Sequence, residues 1–222
     1  MRIITVSRQF GSGGRELGKR LSDVLGWDYY DKEIIEVLAE DQGMDQEQVR
    51  ELLSHHGWNN VQLTFQNSFV NLGFDHGMRT QLLLRQSEII RNIAEVGNDC
   101  IIVGRDADVI LQENHPFRVY VCADLHSRLE RCMAYERKKP RASRLTEKEI
   151  LRNIRRIDKN RSLTREVLTG KRHSDSSMFD LTVNATDWEI KPMTAAVADF
   201  ALRWFEEQDR KAAAAEEEAK ES

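Results

Sequence analysis

The stretch FGSGGRELG, residues 10–18, limits what this chain can fold into more than any other. It follows a β-branched run, RIITVS, and opens a segment in which Leu17, Leu21 and Leu25 share one helical face before Gly26 stops it. A strand that turns through glycines into a helix aims successive backbone N–H groups and the positive helix end at one point. That arrangement suits an anion, and phosphate above all. The spelling departs from the usual G-x-x-x-x-G-K-[ST] loop, whose lysine and hydroxyl serve the phosphates and magnesium. With Gly13 as the second glycine, Gly14 stands in the lysine position and Arg8 in the first-glycine position. Moved by one residue, Gly14 becomes the second glycine, Arg15 takes the lysine position and Glu16 replaces the hydroxyl. An arginine fork can hold phosphate oxygens. Arg15 is therefore the candidate cation, with Arg8, Gly11, Ser12, Gly13, Gly14 and Glu16 as the rest of the cradle and Ser12 as the stand-in magnesium ligand. The alternative is a tight strand-to-helix turn that holds nothing.

Further along, strands and helices alternate. WDYYD reads as a second strand leading into a helix from Lys32 to about Glu40, and residues 45–96 are mostly helical in pattern. Within them TQLLLRQSEIIRNIAEVG is an amphipathic helix with a glycine stop. Residues 100–103, FRVYVCA and FDLTVNAT supply three more strands, and LHSRLERCMAYERKK and residues 192–206 supply helices. Met193, Val197, Phe200 and Trp204 repeat at helical spacing and read as core. The pattern predicts an α/β fold with a parallel sheet covered on both faces. In such sheets ligands sit beyond the carboxyl ends of the strands, where the glycine loop, Asp31 and Arg105 should converge.

Charge is distributed unevenly. Of 33 Lys/Arg and 37 Asp/Glu, 14 basic and only 4 acidic residues fall between Arg137 and Arg172, so the rest of the chain is acidic. Such a segment reads as a solvated helix or as a surface for an anionic partner. Within LRNIRRIDKNR, Arg152, Arg155, Arg156 and Lys159 form a connected face, while Asp158 and Arg161 lie one turn apart. Nucleic acid is disfavoured as the partner, because the chain is acidic overall and the segment lacks interleaved aromatics. No apolar run approaches the roughly 20 residues of a membrane span, and the opening residues do not form a signal peptide. Three cysteines, Cys100, Cys122 and Cys132, show no CxxC spacing, which suits a reduced, cytoplasmic setting. Cys122, inside a strand, is expected to be a buried, inert thiol. His55 and His56 are adjacent rather than on one helix face and suggest no metal site. Trp58, Phe65, Phe69 and Phe74 read as packing in a helical lobe.

Taken together, the loop, VGRDADVIL and the arginine-rich segment resemble the cytidylate kinase-like family, a branch of the P-loop nucleoside monophosphate kinases. The opening ITVSRQFGSGGRELGKRL…YYDKEII is especially similar to that branch, which carries the lysine-free loop as its own pattern. The resemblance spans roughly residues 1–185. It implies a P-loop three-layer fold with a five-stranded parallel sheet, a helical substrate lobe and an arginine-rich lid. It also implies transfer of the γ-phosphoryl of ATP, with Mg2+, to CMP or dCMP. Asp31 matches the family's aspartate near the acceptor, and Gly104, Arg105 and Asp106 match its nucleotide-contacting turn. Val103 replaces an aspartate there. Asp158 and Arg161 match the lid's Asp-x-x-Arg pair. Thr164 and Arg165 stand where aromatics would be, His173 where a tryptophan would be, and Phe179 for a tyrosine.

The expected organisation is one kinase-like domain over residues 1–206, with a helical substrate lobe at about 41–98, a basic lid at about 137–172 and a low-complexity, frayed tail at 207–222. Arg15, Arg105 and Arg161 are the candidate catalytic cations. Asp31, Arg105, Asp106, Asp158, Arg155 and Lys171 are the candidate acceptor and lid contacts. The expected partner is a small-molecule nucleotide, with no nucleic acid and no membrane, and a homodimer is possible. Kinases of another small acceptor and a nucleotide-binding regulator without turnover are the alternative readings.

Overall fold

Strand β1 (Ile3–Arg8) is buried from Ile3 to Ser7 whichever way its side chains point, the mark of a strand covered on both faces. It lies at the centre of a five-stranded sheet, between β3 (Cys100–Val103) and β4 (Phe117–Cys122); β2 (Asp28–Tyr30) and β5 (Leu181–Asn184) form the edges in the order β2-β3-β1-β4-β5. Every pairing is parallel, with Val6 opposite both Val103 and Val119. This is a P-loop α/β fold, as expected. The structure is a computed structural model that describes residues 1–31 and 76–221. The helix expected at 32–40, His55, His56, Trp58, Phe65, Phe69, Phe74 and most of the helical lobe lie outside the described residues.

Six helices are described: α1 (Gly14–Leu25), α2 (His76–Val96), α3 (Ala107–Ile110), α4 (Leu125–Glu136), α5 (Glu147–Thr169) and α6 (Ile190–Glu221). Leu17 and Leu21 of α1 are fully buried, as their spacing predicts. Ile89, Ile90 and Ile93 of α2 and Met193, Val197, Ala201 and Phe205 of α6 join them in one apolar core with the strands. Phe117 anchors its far end, with the rings of Phe200, Trp204 and Phe205 centred 5.3 to 6.3 Å away. Helix α6 runs past Glu206 to Glu221 rather than fraying, its alanine- and glutamate-rich end being a good helix former. Among the described residues, no helix is long and apolar enough to cross a membrane.

A second, smaller core joins α4 to α5 through Cys132, Ile150 and Ile154, and its fourth buried member is Phe10 of the glycine loop. The basic segment is therefore packed onto the loop. Thr146 opens α5 with a reciprocal capping box to Glu149, and Gly170 closes it. Cys122 is half-buried, less enclosed than its strand position suggests, and burial raises its pKa.

Candidate functional site

The first turn of the site runs from Arg8 to Gly13. Gln9 ties it to β4, its N–H donating to the Val121 carbonyl at 3.0 Å and its side chain accepting from the Ala123 N–H at 3.1 Å. The Ser12 hydroxyl lies 2.9 Å from the Gln9 carbonyl and 3.0 Å from that of Val121, fully buried. Expected as a magnesium ligand, Ser12 here fastens the turn to the sheet. Gly13 takes a φ of 90° to start α1, a conformation in which any side chain is strained. Glu16 accepts from Arg20 one turn along the helix.

Side chains of α4, of α5 and of the segment after α5 then grip the backbone of this turn. Asp158 accepts from the Phe10 N–H at 2.8 Å and pairs with Arg128, whose Nε donates to the Phe10 carbonyl at 2.7 Å. Arg161 donates to the Arg8 carbonyl at 2.8 Å, and the His173 Nε2 lies 3.3 Å from the same oxygen. That contact fixes the His173 proton on Nε2. Burial, with Arg161 next in weight, drops the His173 pKa to about 4, so the ring is neutral near pH 7. Its Nδ1 is buried without a partner.

Arg15 reaches across to Asp31, donating from Nε at 2.7 Å, and the Tyr29 hydroxyl donates to the same carboxylate oxygen at 3.2 Å. The residue expected to hold phosphates is thus engaged by the residue expected to hold the acceptor.

The second turn follows β3. Gly104, Arg105 and Asp106 take φ values of 83°, 60° and 50°, three left-handed residues in a row, two of them not glycine. Each non-glycine residue in that region is costly unless its surroundings enforce it. At Asp106 the anchor is Arg165, fully buried on α5. Its Nη1 lies 3.2 Å from Asp106 and 2.7 Å from Asp108, its Nη2 pairs with the second Asp108 oxygen, and its plane sits 5.3 Å from the Phe179 ring centre. Burial raises the Asp106 pKa against the pull of Arg165. Phe179 in turn stacks on Tyr120, centroids 4.9 Å apart.

Between the turns lies Arg8. Burial first, and Arg161 next, lower its pKa to about 9, with Arg105 adding to the effect. Burial also lowers the pKa of Arg161, which stands 3.8 Å from Asp158. Arg155 and Lys171 are exposed, Lys171 with its Nζ 3.5 Å from the Ser177 hydroxyl. Crowded, half-buried guanidiniums beside a helix N-terminus are an anion site in electrostatic terms.

Residues 3–187 match the model of the cytidylate kinase-like family. The chain belongs to the cytidylate kinase-like family. No curated protein matches it. Among solved structures it is similar to an uncharacterized protein from Eubacterium ventriosum, at 22% identity and a TM-score of 0.65, covering 90% of this chain and 98% of that one. It is also similar to the shikimate kinase of Bacteroides thetaiotaomicron, at 14% identity and a TM-score of 0.51, covering 90% and 97%. Both likenesses concern the fold. Within the cytidylate kinase-like frame, the matched Asp31, Gly104, Arg105, Asp106, Asp158 and Arg161 come to the carboxyl end of the sheet, whereas Arg155 and Lys171 do not join them. Sequence reasoning missed Asp108, Arg128 and the structural use of Arg165. Asp158, Arg161 and Arg165 repeat at i, i+3 and i+7, one helical face, which was the available signal.

Proposed function

We propose that this chain is an ATP-dependent phosphotransferase of the nucleoside monophosphate kinase type, acting on CMP or dCMP. The observation that carries the reading is the meeting of a glycine turn, a helix N-terminus and three neighbouring arginines, Arg8, Arg105 and Arg161, at one end of a parallel sheet. These residues fit a phosphate chain, since burial and the neighbouring Arg161 and Arg105 already lower the Arg8 pKa to about 9, the mark of crowded positive charge that an anion would relieve. ATP, when bound, supplies the phosphoryl group, and Mg2+ arriving with it offsets charge between phosphate oxygens. The N–H groups of Gly11 to Gly14 cradle the phosphates, and Arg161 spans from lid to loop to hold the transferring group. Asp31, with Arg15 as its positioning partner, faces the acceptor, alongside Arg105 and Asp106. Asp158 sets the lid on the loop. Exposed Arg155 and Lys171 serve at the rim.

One observation favours a second reading, a nucleotide-binding protein without turnover. The Ser12 hydroxyl is spent on carbonyls and Glu16 on Arg20, leaving the usual magnesium hydroxyl without an evident replacement. Coupled ADP release decides between them, with MgATP and each nucleoside monophosphate in turn, and with shikimate because of the Bacteroides neighbour. Release with CMP or dCMP is expected, falling about a hundredfold or more in Arg161→Ala with the fold intact. ATP binding with no release for any acceptor would leave the second reading standing, and unchanged kinetics in Arg161→Ala would remove that residue from the reaction.

A further inference from the structure

In the lysine register of the glycine loop, two positions differ together: the first glycine is Arg8 and the lysine is Gly14. The structure supplies a physical reason for the pairing. Gly14 is the first residue of α1 and has no positive φ, so its backbone does not require glycine. What a side chain there would meet is Arg8: an added Cβ would lie 2.6 Å from the Arg8 Cβ and 3.1 Å from its Cγ. The Arg8 side chain then continues to the second turn. A Cβ on Gly104 would lie 1.6 Å from its Nη1 and 2.7 Å from its Cζ. Two glycines, one from each turn, thus clear the path of a single arginine.

Along that path the guanidinium forms no hydrogen bond or ion pair with the described residues; Asp31 is close enough to influence it, but is bonded to Arg15 and Tyr29. The Arg8 carbonyl is held from the lid by Arg161, which fixes the root of the side chain. Arg15, the other candidate, is committed to Asp31.

The geometry points to a reciprocal exchange, in which Arg8, projecting from β1 through the space left by Gly14, is the loop's phosphate-holding cation in place of the absent lysine. The inference rests on the proposed function only in taking the anion to be a phosphate chain. It predicts something a merely structural Arg8 would not: moving the cation back to its usual position should rescue binding.

The test is calorimetric binding of inorganic tripolyphosphate and of MgATP to the full chain, with thermal melting alongside. Arg8→Gly should weaken tripolyphosphate about ten- to a hundredfold, the effect of losing charge-assisted hydrogen bonds. Arg8→Lys, which keeps a charge and tests the case in which Arg8→Gly folds poorly, should lose less. Gly14→Lys alone should lower the melting temperature, because Arg8 is in the way. The double variant R8G/G14K should melt above Gly14→Lys and recover tripolyphosphate affinity to within a few-fold of wild type. Arg15→Ala should lose less than Arg8→Gly. A wild-type chain that binds neither probe, folded Arg8 variants that bind as wild type does, or a folded double variant with no recovery would each overturn the exchange. Binding that follows this pattern without phosphoryl transfer to any acceptor would sink the kinase reading and leave the exchange in place.

Discussion

The two turns that bound the site are both held by side chains of α4 and α5, but in opposite currencies. The turn after β1 offers backbone groups, the Arg8 carbonyl and the Phe10 N–H and carbonyl, to Arg161, Asp158 and Arg128. The turn after β3 offers carboxylates, those of Asp106 and Asp108, to Arg165. A carboxylate neutralises the arginine that binds it, and a carbonyl does not. Arg165 therefore spends its charge on structure, whereas Arg161 donates to a carbonyl and stands 3.8 Å from Asp158, a carboxylate already engaged by Phe10 and Arg128, so less of its charge is neutralised. Proximity of an arginine to a phosphate loop is thus not enough to assign it to phosphate. The partner it already has decides.

The comparison breaks most visibly at Arg165. Arg165→Leu leaves two carboxylates at the second turn without their cation, Asp108 among them buried, and removes the anchor of the Asp106 side chain. Deleting one partner of a buried ion pair costs about 3–5 kcal/mol. Chemical denaturation should show a loss of that size, while Arg161→Ala, which gives up a carbonyl contact, should lose about 1–2 kcal/mol. Equal losses in the two variants would erase the distinction between the turns.

Why the first turn was legible in the sequence and the second only partly so follows from the same contrast. Gly11, Gly13 and the leucines of α1 act within a few residues of one another, so local spacing reveals strand, turn and helix together. All five strands were readable for the same reason, each being a short β-branched or aromatic run. The strand pattern placed Arg105 at the carboxyl end of β3, and resemblance added Gly104 and Asp106, but the left-handed backbone of all three was not legible. The anchor of Asp106, Arg165, lies 57 residues from its Asp108 partner, and no local pattern encodes such a distance. Arg165 was also hidden by its company, since in a run of 14 basic residues composition suggests solvent, and only burial separates Arg161 and Arg165 from Arg155 and Lys159. The letters at Arg8 and Gly14 were plain, but the contact that makes them one event required coordinates.

Acidification sharpens the difference from the side of the first turn. His173 holds the Arg8 carbonyl as a neutral ring, facing Arg8 from β1, Arg161 and Arg165 from α5, and Tyr120 from β4. Its folded pKa of about 4 lies below the ordinary 6.5, so between those values the unfolded chain binds the proton more readily. The stability it contributes is full above pH 6.5, declines as pH falls and is gone below about 4. Linkage sets its size at roughly 1–2 kcal/mol after solvent screening. His173→Gln keeps an N–H donor and cannot titrate there. Its stability should fall less than that of wild type between pH 6.5 and 4, and parallel pH profiles would remove His173 from the account.

The smallest effect has the opposite sign. Arg105 holds a φ of 60° that a glycine adopts without strain. If the second turn is anchored by Arg165 through Asp106 rather than chosen locally, Arg105→Gly should relieve strain in the folded state. Greater freedom of the unfolded chain would offset part of the gain. The net change should be a rise of up to about 1 kcal/mol, read as a higher denaturation midpoint. Binding should move the other way, because Arg105 is one of the two cations grouped around Arg8, and the affinity for tripolyphosphate should fall. A variant both less stable and unchanged in binding would mean that the Arg105 side chain supports the turn instead of straining it, which would align the second turn with the first and leave the charge of Arg8 and Arg161 as the only difference between them.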